Sequence, residues 1–252
     1  MTEDHALARD LAQEAGRRLI GLRAHGGDPG RLRKAGDRLS HEFLTAELAA
    51  RRPGDVVLSE EGADHPARLS AGRVWIVDPL DGTREFGEPG RTDWAVHVAL
   101  WERSTGDLMA GAVALPAQGR VLSTLEPPPG PGDAGASGRI RIVVSRSRPP
   151  GFVRNISGLI DAELVPLGSA GAKVAAVICG DADAYVHGGG FYEWDTAAPV
   201  AVARAAGFHA SRIDGSPLAY NQADLLMPDI LVCRPGLARP LLQAIREVTH
   251  AP

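Results

Sequence analysis

Asp78 and Asp81 stand three residues apart in Trp75-Ile76-Val77-Asp78-Pro79-Leu80-Asp81-Gly82-Thr83, where an apolar run with the character of a strand comes to an end. Two carboxylates delivered together are hard oxygen donors of the kind Mg²⁺ prefers. Gly82 and Thr83 follow at a point where a helix can begin, and free backbone N–H groups at the positive end of a helix dipole attract phosphate. An Asp-Gly turn accounts for Asp81 and Gly82 but leaves Asp78 unexplained. From average residue usage, the five fixed letters of D-P-x-D-G-T arise by chance at about one start position in a million.

Three further acids are candidates for the same site. Glu60 and Glu61 close the apolar run Val56-Val57-Leu58 in Ser59-Glu60-Glu61-Gly62. Alone they read as a solvated acidic loop, but two consecutive strands of one sheet would set Glu60 beside Asp78 and Asp81. Asp195, in Trp194-Asp195-Thr196-Ala197-Ala198-Pro199, is either a helix N-cap or the third oxygen donor the pair requires. Asp37, in Lys34-Ala35-Gly36-Asp37-Arg38, has the same two readings of surface N-cap or site residue.

Ser59-Glu60-Glu61, Trp75–Thr83 and Trp194–Pro199 resemble, in order and spacing, the signature blocks of the lithium-sensitive, Mg²⁺-dependent phosphatases related to inositol monophosphatase, over essentially the whole chain. Asp81–Phe86, Val144-Ser145-Arg146-Ser147 and Gly168–Lys173 look most like the CysQ-type bisphosphate nucleotidases within that superfamily. The resemblance implies a layered α-β-α-β-α sandwich in the α/β (α+β) class. It implies two or three Mg²⁺ per active site, with Glu60, Asp78, the Leu80 carbonyl, Asp81, Asp195 and Asp37 as the metal set. Thr83 is then the water-activating hydroxyl and Asp37 its partner, with Glu60 also in the catalytic set. Asp37 departs from the family's usual Thr-x-Ala-Asp ending.

Under the same resemblance the substrate is a small phosphorylated molecule, foremost adenosine 3′,5′-bisphosphate or its sulfated form. Inositol 1-phosphate and fructose 1,6-bisphosphate are the alternatives, singly or as a dual activity. Substrate contacts fall to Asp81, Gly82, Thr83, Arg84, Ser145, Arg146, Ser147, Gly168, Ser169, Lys173 and Asp195. Lys173 lies in a small, apolar helical stretch, where a lone charge is costly unless it points at an anion. His187, before Gly188-Gly189-Gly190, reads as a structural pocket wall, since no second imidazole or thiol accompanies it. Gly188–Gly190 lacks the spacing and ending of a P-loop. A catalytically silent binding protein on the same scaffold would have lost a carboxylate or Thr83, and all are present.

The elements that must position these residues are legible in outline. Leu7, Leu11, Ala15, Leu19 and Leu22 predict a first helix over about 4–22, ended by Gly26-Gly27-Asp28-Pro29-Gly30. A second helix is expected from Asp37 or Arg38 through Arg51. Strands at 95–100, 110–115 and 119–124 suggest an antiparallel meander. An N-terminal half at 1–125 carries the metal motifs, a Pro/Gly-rich connection spans 126–138, and a half at 139–252 alternates strand and helix and carries Asp195.

At 252 residues with net charge −4, the chain can bury a large core and shows no basic stripe for nucleic acid. No signal-peptide core or membrane span is visible, so a cytoplasmic protein is expected, as a homodimer by family resemblance. Cys179 and Cys233 both lie in apolar runs and are expected to be buried thiols.

Overall fold

The computed structural model describes residues 2–131 and 138–249. Helix α1 (Thr2–Ala24) buries Leu7, Leu11, Ala15 and Leu19 along one stripe. Helix α2 runs over Pro29–Arg51, starting well before Asp37. Asp28 accepts the Arg31 N–H at 2.8 Å and Pro29 supplies a preset φ, so the segment expected only to end α1 also starts α2. Asp37 is therefore inside a helix and is not an N-cap.

The first sheet contains β1 (Val56–Ser59), β2 (Arg73–Asp81), then, after the one-turn helix α3 (Thr83–Gly87), β3 (Ala95–Glu102), β4 (Asp107–Leu115) and β5 (Arg120–Ser123). Their order in space is their order in sequence. β1 pairs parallel to β2, with Ser59 opposite Val77, so Glu60 emerges level with Asp78. The expected meander is present as β3, β4 and β5.

The second half supplies β6 (Arg141–Ser145), α4 (Gly151–Leu159), β7 (Glu163–Leu167), α5 (Ala170–Ile178), β8 (Ala184–His187), β9 (Phe191–Tyr192) and α6 (Glu193–Ala205). It continues with β10 (His209–Ser211), β11 (Leu226–Met227), β12 (Ile230–Cys233) and α7 (Pro235–Thr249). The second sheet has the order β10-β12-β8-β6-β7, and β9 pairs with β11 in a two-residue ladder. Helix α6 begins at Glu193 with Tyr192 as its N-cap, so Asp195 lies within its first turn and is not the N-cap residue itself.

Alternation along β2 fixes the layers. Trp75 and Val77 join the cluster under α1 and α2, whereas Val74 and Ile76 join the cluster containing α5 and α6. The far face of the second sheet packs with α4 and α7. The result is the expected α-β-α-β-α sandwich, with α5 and α6 between the sheets.

Of the Pro/Gly-rich connection, residues 132–137 lie outside the described residues, and 126–131 carry no helix or strand. Cys233 is buried, but Cys179 is exposed. Its apolar run belongs to α5, which ends at Ile178 and releases the next residue to solvent. No described helix is long and apolar enough to cross a membrane.

Candidate active site

A regular strand points residues three apart to opposite faces. The β2–β3 register shifts between Asp78 and Asp81, around Pro79, and this irregularity returns Asp81 to the side of Asp78. That side faces α6. One carboxylate oxygen from each of Asp78, Asp81 and Asp195 lies within 4.8 Å of the others.

Each acid is held differently. Asp78 accepts the Leu80 N–H at 3.0 Å, and its carboxyl shares a hydrogen bond with Glu60. Asp195 accepts the Tyr192 N–H at 2.6 Å, a first-turn contact that leaves its carboxyl beside Asp81. It therefore satisfies part of the helix terminus while belonging to the cluster. Asp81 Oδ2 accepts the Gly171 N–H at 2.7 Å and lies 3.2 Å from His97 Nε2. Glu60 stands at the outer edge, outside the three-carboxylate cluster itself.

The electrostatics are those of crowded acids short of positive charge. Burial, then Glu60 and Asp81, raises the Asp78 pKa well above the carboxylate range. Loss of water, then Asp195, pushes Glu60 up to about 7; burial, then Asp81, pushes Asp195 up to about 6. Burial alone would raise Asp81 too, but His97, Lys173 and the Gly171 N–H hold it below its usual value. Oxygen donors that repel one another in a dehydrated pocket suit a divalent cation, which supplies the missing charge and accepts carboxylate ligation.

Beside the cluster, Thr83 Oγ1 lies 3.2 Å from Asp37 Oδ1 and 2.9 Å from the Leu80 carbonyl oxygen. Burial, then the charge of Glu61, pushes Asp37 up to about 6. Gly82 adopts φ +81°, and an added Cβ would sit 2.9 Å from Ser169 Cβ, so glycine is required both for the turn and for the close approach of α5. The first N–H groups of α3 have no acceptor within their own helix.

From this corner opens a cleft of about 500 Å³, lined on its far side by Ser145, Ser147, Arg148, Lys173, Tyr185 and His187. Arg84, Gly168 and Ser169 also line it. Lys173 is buried, donates to the Gly168 carbonyl at 2.5 Å and sits 5.3 Å from the Tyr185 ring centre. Ser169 Oγ caps α5 by accepting the Ala172 N–H at 2.8 Å. Arg146 is not in the lining. It donates to Glu85 at 2.6 Å and to Glu88 at 3.0 Å, and Arg148 faces the cleft two residues on. His187 is largely buried between Tyr185 and Phe191, and burial lowers its pKa to about 4, as suits a neutral wall.

Two participants escaped the sequence. His97 is fully buried on β3, and the signal for it was a single polar residue inside the apolar run Ala95–Leu100, which must find a partner. Gly171 stood in a segment singled out for substrate, but its N–H goes to Asp81.

A model of the inositol monophosphatase family matches residues 8–250. The chain belongs to the inositol monophosphatase family. Among curated members, a Mycobacterium leprae protein named 3′-phosphoadenosine 5′-phosphate phosphatase is 53% identical, the match covering 97% of this chain and 94% of that one. The CysQ structure of Bacteroides thetaiotaomicron, a family member, superimposes with TM-score 0.78 at 29% identity over 93% of this chain and 98% of its own. Inositol monophosphatase II of Staphylococcus aureus shares the family fold at TM-score 0.82, with 24% identity, over 97% of this chain and 94% of its own.

Proposed function

We propose that the chain is a metal-dependent phosphomonoesterase that removes the 3′-phosphate of adenosine 3′,5′-bisphosphate, and of its sulfated form, leaving the 5′-phosphate in place. The observation that carries this is the meeting of Asp78, Asp81 and Asp195 with the Thr83–Asp37 pair at one end of a cleft that holds Lys173 and Arg148 further along. The identity to a relative named for this substrate supports the choice of nucleotide.

Glu60, Asp78, the Leu80 carbonyl, Asp81 and Asp195 would hold two or three Mg²⁺, which supply positive charge for the phosphoryl oxygens and lower the pKa of water when bound. The backbone N–H groups of Gly82 and Thr83 point the transferred phosphate at the cluster. Thr83 orients water through its hydroxyl, and Asp37, with a pKa near 6, takes the proton that the hydroxyl passes on. Lys173 and Arg148 offer charge to the remaining phosphate, Ser145 and Ser147 offer hydroxyls, and the neutral His187 with Tyr185 forms an apolar wall for a base. The N-terminal half at 1–125 thus carries the chemistry, while the half at 139–252 adds Asp195 and the selecting wall. A cytoplasmic homodimer belongs to the same proposal.

The test is product identity. With adenosine 3′,5′-bisphosphate and Mg²⁺, chromatography should recover adenosine 5′-phosphate and inorganic phosphate. Recovery of adenosine 3′-phosphate would reverse the placement of the nucleotide, and no turnover would remove the substrate assignment.

A further inference from the structure

The cluster is assembled from chain segments far apart in sequence: β2 brings Asp78 and Asp81, and α6 brings Asp195. Their separation decides whether the three oxygens can share a cation. His97 touches both segments.

His97 is fully buried on β3, on the face that also turns Ala95 and Ala99 towards α5 and α6. Its Nε2 lies 3.2 Å from Asp81 Oδ2, and its Nδ1 lies 3.1 Å from the carbonyl oxygen of Trp194, the residue next to Asp195. Room for the ring comes from α5: a Cβ on Gly171 would stand 2.1 Å from Nε2. The Gly171 N–H reaches the same Asp81 oxygen at 2.7 Å. Asp81 Oδ2 is thus hydrogen-bonded by α5 and approached by the His97 ring.

We infer that His97 is a positioning residue for the metal cluster, spanning β2 and α6 so as to fix the placement of Asp81 relative to Asp195. The inference rests on the metal-dependent mechanism proposed above. Partners that orient metal ligands in this way typically change metal affinity or activity by about 10- to 100-fold when removed.

The experiment titrates Mn²⁺ into the full chain by electron paramagnetic resonance, with kcat and KM measured alongside at saturating metal. His97→Phe keeps a ring of similar size and removes both nitrogens; His97→Gln is shorter-reaching and able to donate from one nitrogen only. The Mn²⁺ dissociation constant should rise about 10-fold or more in both. At saturating metal kcat should fall while KM stays near the wild-type value; a smaller folded fraction gives the same split, so the Mn²⁺ dissociation constant decides, read on variants whose circular dichroism matches wild type. Should His97→Phe fail to fold, His97→Gln decides the question. A folded variant binding Mn²⁺ within twofold of wild type would overturn the inference while leaving the metal site standing. Failure of wild type to bind Mn²⁺ would overturn both. Tight wild-type binding without nucleotide hydrolysis would remove the substrate assignment alone, and the His97 inference would still be decided by the variants' Mn²⁺ affinity.

Discussion

Asp37 and Thr83 meet at 3.2 Å because Gly36 lets α2 press directly onto α3 and the end of β2. A Cβ at residue 36 would stand 2.8 Å from a Phe86 ring carbon and 2.9 Å from a Leu80 methyl. The unusual Ala35-Gly36-Asp37 sequence therefore still delivers its carboxylate to the hydroxyl.

Gly36→Ala should lower kcat about tenfold or more. Helix propensity favours alanine by about 1 kcal/mol, but both neighbours are closer than side chains pack, and moving α2 away lengthens the Asp37–Thr83 contact. Steady-state kinetics with circular dichroism checks this. Full kcat with unchanged helicity would mean that Phe86 and Leu80 yield instead.

Thr83→Ala should reduce kcat by about 100-fold or more, within the range for a positioned proton-transfer group, with a smaller effect on KM. The backbone N–H groups assigned to phosphate survive the substitution. A rise in KM with unchanged kcat would move Thr83 from catalysis to binding.

Stability should depend on pH through His187. Burial lowers its pKa from 6.5 in the unfolded chain to about 4. Its contribution is complete above pH 6.5 and is lost as pH falls towards 4, since protonation then favours the unfolded chain. The shift corresponds to at most ~3 kcal/mol, reduced to about 1–2 kcal/mol by partial solvent access. Urea unfolding at pH 7 and 4.5 should show a smaller pH loss in His187→Asn than in wild type. Equal losses would show that His187 takes up its proton as readily folded as unfolded.

Exposure of Cys179 and burial of Cys233 predict that one thiol of the native chain reacts promptly with a thiol reagent and the second only on unfolding. Burial pushes Cys233 up to about 12, which further suppresses its thiolate. Mapping the label to Cys233 would contradict the placement of α5 and β12.

Much of the site was legible because Asp78, Asp81 and Thr83 share one short segment and Glu60 follows the neighbouring strand. The layered fold was legible through alternation and turn residues. What escaped depends on contacts across the fold. The start of α2 was hidden because Asp28-Pro29 serves as helix cap and opener inside a segment rich in breakers. The return of Asp81 to the side of Asp78 needs the irregularity at Pro79, which strand periodicity alone does not supply. Arg146 and Arg148 share a residue type and a short segment; only the positions of Glu85 and Glu88 turn the first away from the cleft. The fit of His97 against Gly171 joins residues from opposite halves, and neither residue alone announces it.

The most direct measurement of function is kcat/KM for phosphate release in Mg²⁺ buffer, with and without Li⁺, from adenosine 3′,5′-bisphosphate, inositol 1-phosphate and fructose 1,6-bisphosphate. The expected result is a Li⁺-inhibited preference for the nucleotide of tenfold or more, about 1.4 kcal/mol of transition-state discrimination. A preference for inositol 1-phosphate or fructose 1,6-bisphosphate would contradict the assignment of the cleft to a nucleotide.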